Sequence, residues 1–505
     1  MISRAFRLAC LTAGLALLPM SAGAVTGQVV DGQSGKPIAG AWVTLGDKAV
    51  RSDPQGNFDV DGTGKTLRLR AVGYGRNDVA LQPEAKTAGK VTLEPFQAHA
   101  LYLSSYGVAS KALRHSALDI ASRTTLNSLV IDVKGDRGLL LHDSQVPLAQ
   151  AVNAHKVKFT SDPKELVQSL KAQGLYLIAR IVVFKDDIVA NAHPDWSVKD
   201  GNGKMWHDRE KLAWVDPFKE EMRHYVTDIA VEAAQLGFDE IQFDYIRFPD
   251  NRGVKFSKAN TQEARVGAIS ALLTEARHKL TPYNVFLSAD IFGYVCWNTD
   301  DTQIGQHIET VAPLVDYMSP MLYPSGFQFG IPGYRNPVNN PKEIVHLSLE
   351  RAKQRTNLPG AAFRPWLQAF RDYAFGGKVF GAAEIKDQID AANASQTTGW
   401  LLWNPRNAYT DAGLPKKGAT AVAKKEAAPV TEPAKKDATP TAEPAKKDAA
   451  PAAAAKTETV PATEAKKETP PAPEAKKDPA PVTEGAKKDG DQATEAVKKD
   501  VPHGG

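Results

Sequence analysis

Carboxylates at the ends of apolar runs are the first residues in this sequence equipped to do chemistry. Asp244 closes the run Phe238-Asp239-Glu240-Ile241-Gln242-Phe243 and is followed by Tyr245 and Arg247; Asp290 closes Leu287-Ser288-Ala289 ahead of Ile291-Phe292-Gly293. Two carboxyl groups flanking one bond suit glycosidic cleavage, in which one protonates the departing oxygen and the other attacks the sugar or activates water. Asp244 is the expected nucleophile or base and Asp290 the expected acid. Asp132, Lys134, Arg180, Tyr245, Arg247, Tyr323, Trp366, Gln368 and Trp403 occupy comparable positions and are the expected sugar-binding groups. Aromatic faces would carry the rings and polar groups would fix their orientation. For Asp132 and Lys134 a structural role competes, a buried network in which Asp132 pairs with Lys134 or Arg180. Asp239, Glu240 and Asp316 stand at strand starts and are set aside as structural. His193, His207 and His224 lack metal-ligand spacing, so neither a metal nor a cofactor is expected. Cys296, between Tyr294-Val295 and Trp297, reads as a small buried apolar group.

The elements that must position these residues alternate between apolar strand-like runs and amphipathic segments from Ala100 to Asn404. Eight strands are predicted: Leu101–Tyr106, Ser128–Val133, Leu175–Val183, Phe238–Ile246, Val285–Asp290, Val315–Tyr323, Ala361–Phe370 and Gly399–Trp403. Three helices open on an acid or amide followed by proline: Asp162-Pro163 before Lys164–Ala172, Asp216-Pro217 before Phe218–Leu236, and Asn340-Pro341 before Lys342–Thr356. Eight strand–helix steps predict an α/β fold, the (β/α)8 TIM barrel, whose active site gathers where its strands end. A doubly wound sheet would want a glycine-rich turn after its first strand, and none is present. The filter then selects residues that alternate into the lumen: Asp132 and Lys134 on the second strand, Arg180 on the third, Gln242 and Asp244 on the fourth, Ser288 and Asp290 on the fifth.

The flanks differ in composition. Residues 1–24 carry Arg4 and Arg7, an apolar run Leu8–Leu18 and then Ala22-Gly23-Ala24, the order of a cleavable export signal. The run is shorter than the roughly 20 residues needed to span a bilayer, so no transmembrane segment is expected after cleavage, and the protein is expected in the periplasm or medium. Residues 25–96 break into short strands at Val25–Val30, Ala41–Leu45, Gly56–Val60, Thr66–Val72 and Lys90–Leu93, separated by Gly, Pro and Asp turns, which predicts a small all-β sandwich. The barrel fills 97–413. From Leu414 to Gly505 the chain reduces to Ala, Pro, Lys, Glu, Asp and Thr with recurring Lys-Lys-acid triplets, predicting a disordered tail. Its lysines and acids nearly balance, and the whole chain carries a formal charge of only +4. That argues against a nucleic-acid partner, although the lysine pairs offer loose attraction to an anionic envelope polymer.

Five stretches together are similar to the putative glycoside hydrolase family of exported bacterial barrel proteins. They are Val130-Ile131-Asp132-Val133-Lys134-Gly135-Asp136-Arg137-Gly138, Ile178-Ala179-Arg180-Ile181-Val182-Val183-Phe184-Lys185-Asp186, Phe243-Asp244-Tyr245-Ile246-Arg247-Phe248-Pro249, Ser288-Ala289-Asp290-Ile291-Phe292-Gly293 and Asp316-Tyr317-Met318-Ser319-Pro320-Met321-Leu322-Tyr323-Pro324. The resemblance implies a TIM-barrel hydrolase acting on an extracellular or envelope polysaccharide. It departs from amylase-like enzymes, which place an arginine where Gln242 stands and a glutamate near Asp290. The spaced aspartates ending in glutamate of the chitinase pattern are also missing from the fourth strand. Val29-Val30-Asp31, Gly35–Ala41 and Asp53–Phe58 resemble carboxypeptidase-regulatory-like modules, which implies an accessory role for the sandwich. The rival reading of the whole chain is a non-catalytic envelope protein whose barrel binds glycan.

Overall fold

Period-two burial along short runs builds the first part of the chain. In the computed structural model, which describes residues 24–418 apart from Pro83, seven strands precede the barrel. They are β1 (Ala24–Asp31), β2 (Trp42–Leu45), β3 (Lys48–Arg51), β4 (Asn57–Asp61), β5 (Thr66–Arg70), β6 (Asn77–Ala80) and β7 (Thr87–Leu93). One sheet has the order β4-β1-β7 and the other β3-β2-β5-β6. Val29 and Val60 from the first and Val43 and Leu69 from the second share one buried cluster, so the two sheets face each other. Two of these strands, β3 and β6, escape the sequence reading because both are short and only half-buried.

Eight parallel strands then close on themselves: β8 (Ala98–Leu103), β9 (Ser128–Lys134), β10 (Tyr176–Val182), β11 (Glu240–Asp244), β12 (Phe286–Phe292), β13 (Tyr317–Met321), β14 (Trp366–Gln368) and β15 (Gly399–Trp403). Pairing of β15 with β8 completes the barrel. The expected (β/α)8 architecture is therefore the observed one, with shifted ends. The first barrel strand stops at Leu103, not Tyr106, because the Ser104 hydroxyl caps a helix by accepting from the Gly107 amide. Asp162 caps the helix Pro163–Lys171 as expected. Asp216 does not cap the next one: its carboxylate accepts from the Phe218 and Ser257 amides, and the helix starts only at Glu220. At the other margin, Leu414 packs into the barrel core and Lys416 bridges Thr124, so the first residues of the expected tail belong to the barrel. The expected signal up to Gly23 and the expected tail beyond Gly418 lie outside the described residues. Among the described residues no helix is long and apolar enough to cross a membrane.

The sandwich sits against the end of the barrel where strands begin, leaving the opposite mouth open. Arg68 donates to the Pro282 carbonyl (2.7 Å), and the Gly73 amide donates to the Tyr317 hydroxyl (3.1 Å). Arg76 pairs with Asp239, which also accepts from Lys171 (2.5 Å) and from the Leu177 amide (2.9 Å). Arg70 and Arg277 flank buried Asp316. Burial alone would raise that carboxyl's pKa, but the two guanidiniums outweigh it and hold the group below its ordinary value. Two of the three carboxylates set aside as structural, Asp239 and Asp316, are thus the joints between module and barrel.

Asp239→Ala removes the carboxylate shared by two cations and leaves the Leu177 amide without its acceptor. It should lower stability by about 3 kcal/mol in urea titration. An unchanged midpoint would show that this joint contributes nothing.

Candidate functional site

Barrel strands tilt by roughly 36° to the axis, so residues paired across two strands do not lie at equal depth. The arrangement of the mouth follows from this. Arg180 pairs in register with Asp132 on β9 and with Gln242 on β11, one lumen-facing position below Asp244. Its side chain extends upward between the two carboxylates. Nη1 donates to Asp132 Oδ1 (2.6 Å), while Nε and Nη2 both donate to Asp244 Oδ2 (2.9 and 2.6 Å). Tyr102 on β8 donates its hydroxyl to the other oxygen of Asp132 (2.6 Å) and stacks on Trp403 of β15, centroids 3.9 Å apart. Burial acts against the guanidinium charge, but Asp132 and Asp244 outweigh it and raise the Arg180 pKa. For Asp132 burial prevails over Arg180, and its pKa rises to about 6.

Asp244 is turned toward the mouth by its successor. Tyr245 adopts a left-handed conformation (φ 53°), ending β11 abruptly, and its amide donates to Asp244 Oδ1 (2.6 Å). A tyrosine held at positive φ is uncommon and costs on the order of 1 kcal/mol or more. Asp290 lies deeper. Phe243 pairs with Ala289, which places Asp290 beside Asp244 in register, but strand tilt sets it lower by about one residue's rise, ~3.3 Å. The hydrogen bond from Gln242 to Ser319 (3.2 Å) shows the same offset, since Ser319 is the register partner of Asp290. Asp290 is fully buried; Oδ1 accepts from the Trp366 indole (2.7 Å) and Oδ2 has no hydrogen-bond partner. Burial, then the charge of Asp244, raises its pKa well above the ordinary carboxylate value.

A cavity of about 230 Å³ opens above this network, and seven of the expected residues line it: Arg180, Asp244, Tyr245, Arg247, Tyr323, Trp366 and Trp403. The other four do not. Asp290 lies beneath the floor and Asp132 behind Arg180, as the bonds above show. Lys134 is a correction: β9 shifts register after Asp132, so Lys134 pairs with Ile181 and leaves the alternation. Its ammonium is fully buried against Asp186 (2.8 Å) and the Val182 carbonyl (2.7 Å), in a structural ion pair. Gln368 is the second correction. Fully buried, it accepts from the Ser325 amide and donates to the Ser325 hydroxyl (3.0 and 2.7 Å), shaping the loop after β13. Tyr102 and Asp136 were missed. Tyr102 shares the strand parity of Ala100, which a strict face count exposes; Asp136, 3.6 Å from Arg180, sits in the loop after β9, where no periodicity marks it. Among the described residues no cluster of His, Cys, Asp or Glu could hold a metal ion. Burial pushes the Cys296 thiol up to about 12, which suits the packing role assigned to it.

The profile of a family described as "putative glycosyl hydrolase domain" matches residues 100–409. Among solved structures, a hypothetical protein from Ruminiclostridium thermocellum is 35% identical, with 38% of this chain and 96% of that chain covered and a TM-score of 0.33. The PgaB (BpsB) glycoside hydrolase domain of Bordetella bronchiseptica is 12% identical over 64% of this chain and 99% of its own (TM-score 0.48). A GH18 chitinase from Pseudoalteromonas aurantia is 11% identical over 64% and 98% (TM-score 0.37). No curated protein matches the chain.

A carboxyl whose folded pKa is raised contributes stability in full below its unfolded pKa and loses that contribution as pH rises through the folded value. With Asp132 at about 6, the wild type should lose about 2 kcal/mol relative to Asp132→Asn between pH 4 and pH 7. Urea titrations of both proteins across that range test this, and parallel curves would refute it.

Proposed function

Because the chain belongs to the putative glycosyl hydrolase domain family, we propose that its cavity cleaves glycosidic bonds of an extracellular or envelope polysaccharide by a two-carboxylate mechanism. Asp244 is the nucleophile or base. Asp290 is the proton source. The observation that carries this reading is the contrast between two neighbouring carboxyl groups. Arg180 lays two hydrogen bonds on Asp244 at the cavity wall, whereas Asp290, buried beside that charge, favours its protonated form. The proposal places one water between Asp290 and the leaving oxygen, since the carboxyl lies below the floor. Tyr245, Tyr323 and Trp403 line the cavity with aromatic surface for the sugar, Trp366 backs them from the wall, and Arg247 offers donors.

The export reading of residues 1–24 belongs to the same proposal: the enzyme acts in the periplasm or outside the cell, with the tail as a spacer loosely drawn to anionic envelope polymers. The complete burial of Asp290 favours the rival reading, a glycan-binding barrel without turnover.

Digestion of a glycan panel followed by mass spectrometry separates the two. The wild type should release oligosaccharides from at least one polymer, and Asp244→Asn and Asp290→Asn should each lower the rate by about 1000-fold. An aryl glycoside of the same sugar, whose leaving group needs no proton, should rescue turnover in Asp290→Asn but not in Asp244→Asn. Binding without turnover in any protein would favour the rival.

A further inference from the structure

The inner cavity continues into a larger groove, about 460 Å³ against 230 Å³, and the two share Tyr245, Arg247, Phe292, Gly326 and Tyr373 as lining. One wall is a flap between Ser197 and Val215, folded back on itself by bridges from Ser197 to Val215 and from His207 to Ala213. Lys185 fastens it through Glu210 (2.7 Å) and Asp208 (3.3 Å). The other wall presents two large aromatics to water: Phe329 is 91% exposed and Tyr373 64%.

Neither aromatic sits on a slack loop. Tyr294 clamps the turn that carries Phe329, its hydroxyl accepting from the Phe329 amide (2.9 Å) and donating to the Gly330 carbonyl (3.1 Å). That turn also requires Gly330, which has φ 70° and would bring a Cβ to 2.5 Å from the Tyr334 carbonyl oxygen. Asp372 gathers the Ala374, Phe375 and Gly377 amides beneath Tyr373, whose ring lies parallel to Phe370. Exposed aromatic surface costs free energy, and holding it in a fixed pose beside a cavity prepares it to stack on a ligand.

We propose that this groove holds the continuation of the glycan chain, with Phe329 and Tyr373 as stacking platforms, so that cleavage falls within a polymer and not at its end. This rests on the hydrolase reading of the inner cavity. The charges in the groove select the class of polymer. Lys185, Arg209 and Arg247 are matched by Asp208, Glu210 and Asp250, so the groove carries no net charge and a polyanion gains no attraction there. The chain it takes is neutral, built of hydroxyl- or N-acyl-bearing sugars.

The test is affinity electrophoresis of the full chain carrying Asp244→Asn, in gels containing dextran, hydroxyethyl cellulose, glycol chitin or alginate. Retardation should appear in at least one neutral gel and weaken by about tenfold in Kd when Phe329→Ala and Tyr373→Ala are added. An unchanged melting temperature would confirm that the added substitutions leave the fold intact. No retardation in any neutral gel, equal retardation with and without the two aromatics, or retardation by alginate alone would overturn the proposal. Retardation that depends on the aromatics, without turnover of that polymer by the wild type, would sustain the groove and defeat the hydrolase reading. Turnover with retardation indifferent to both aromatics would do the reverse.

Discussion

A guanidinium almost cut off from water organises the mouth of this barrel. Arg180 takes Asp132 from one neighbouring strand and Asp244 from the other, and it lies over the rings of Trp403 and Tyr102 (4.9 and 5.4 Å to their centroids). Side chains from four other strands therefore converge on one cation. Desolvating three charges is expensive and is repaid only while every partner is in place. The same bonds that close the barrel between β9 and β11 therefore fix where Asp244 stands. Asp290 inherits its state from this arrangement, because the Asp244 charge adds to the effect of burial.

The other end of the lumen uses similar chemistry for a different purpose. Arg364 pairs with Glu240, both fully buried, and the Tyr176 hydroxyl donates to the same carboxylate (2.8 Å) while Tyr317 lies under the guanidinium at 3.9 Å. Just outside, Asp239 and Asp316 bind the sandwich. Ionic networks thus occupy both ends of the barrel, but the cavity that shares residues with one of them is at the C-terminal mouth. The module packs at the end of the barrel opposite that mouth.

Much of this was legible in the sequence, for identifiable reasons. Strands buried on both faces leave unbroken apolar runs, and polar residues interrupting such runs at their ends, Asp132, Arg180, Asp244 and Asp290, could be found by parity alone. Parity failed where the backbone departs from regularity. The register shift after Asp132 sends Lys134 outward into an ion pair with Asp186, and no residue type in Val133-Lys134-Gly135 announces it. Depth was equally hidden: strand tilt, not sequence, puts Asp290 under the floor. The groove was out of reach for another reason. Its walls are the Ser197–Val215 flap and the loops carrying Phe329 and Tyr373, which have no hydrophobic period to read and are brought together only by the closed barrel.

The pairing of an Arg180-bound Asp244 with an Asp290 whose pKa is raised by burial and by that neighbouring charge is the centre of this account. Isotope-edited infrared titration of the aspartate carboxyls, assigned by comparing wild type with Asp290→Asn, tests it most directly. Asp290 should titrate far above the ordinary value of about 4 and should move down when Asp244 is replaced by Asn. An Asp290 that titrates near 4, or one indifferent to the Asp244 charge, would contradict the account.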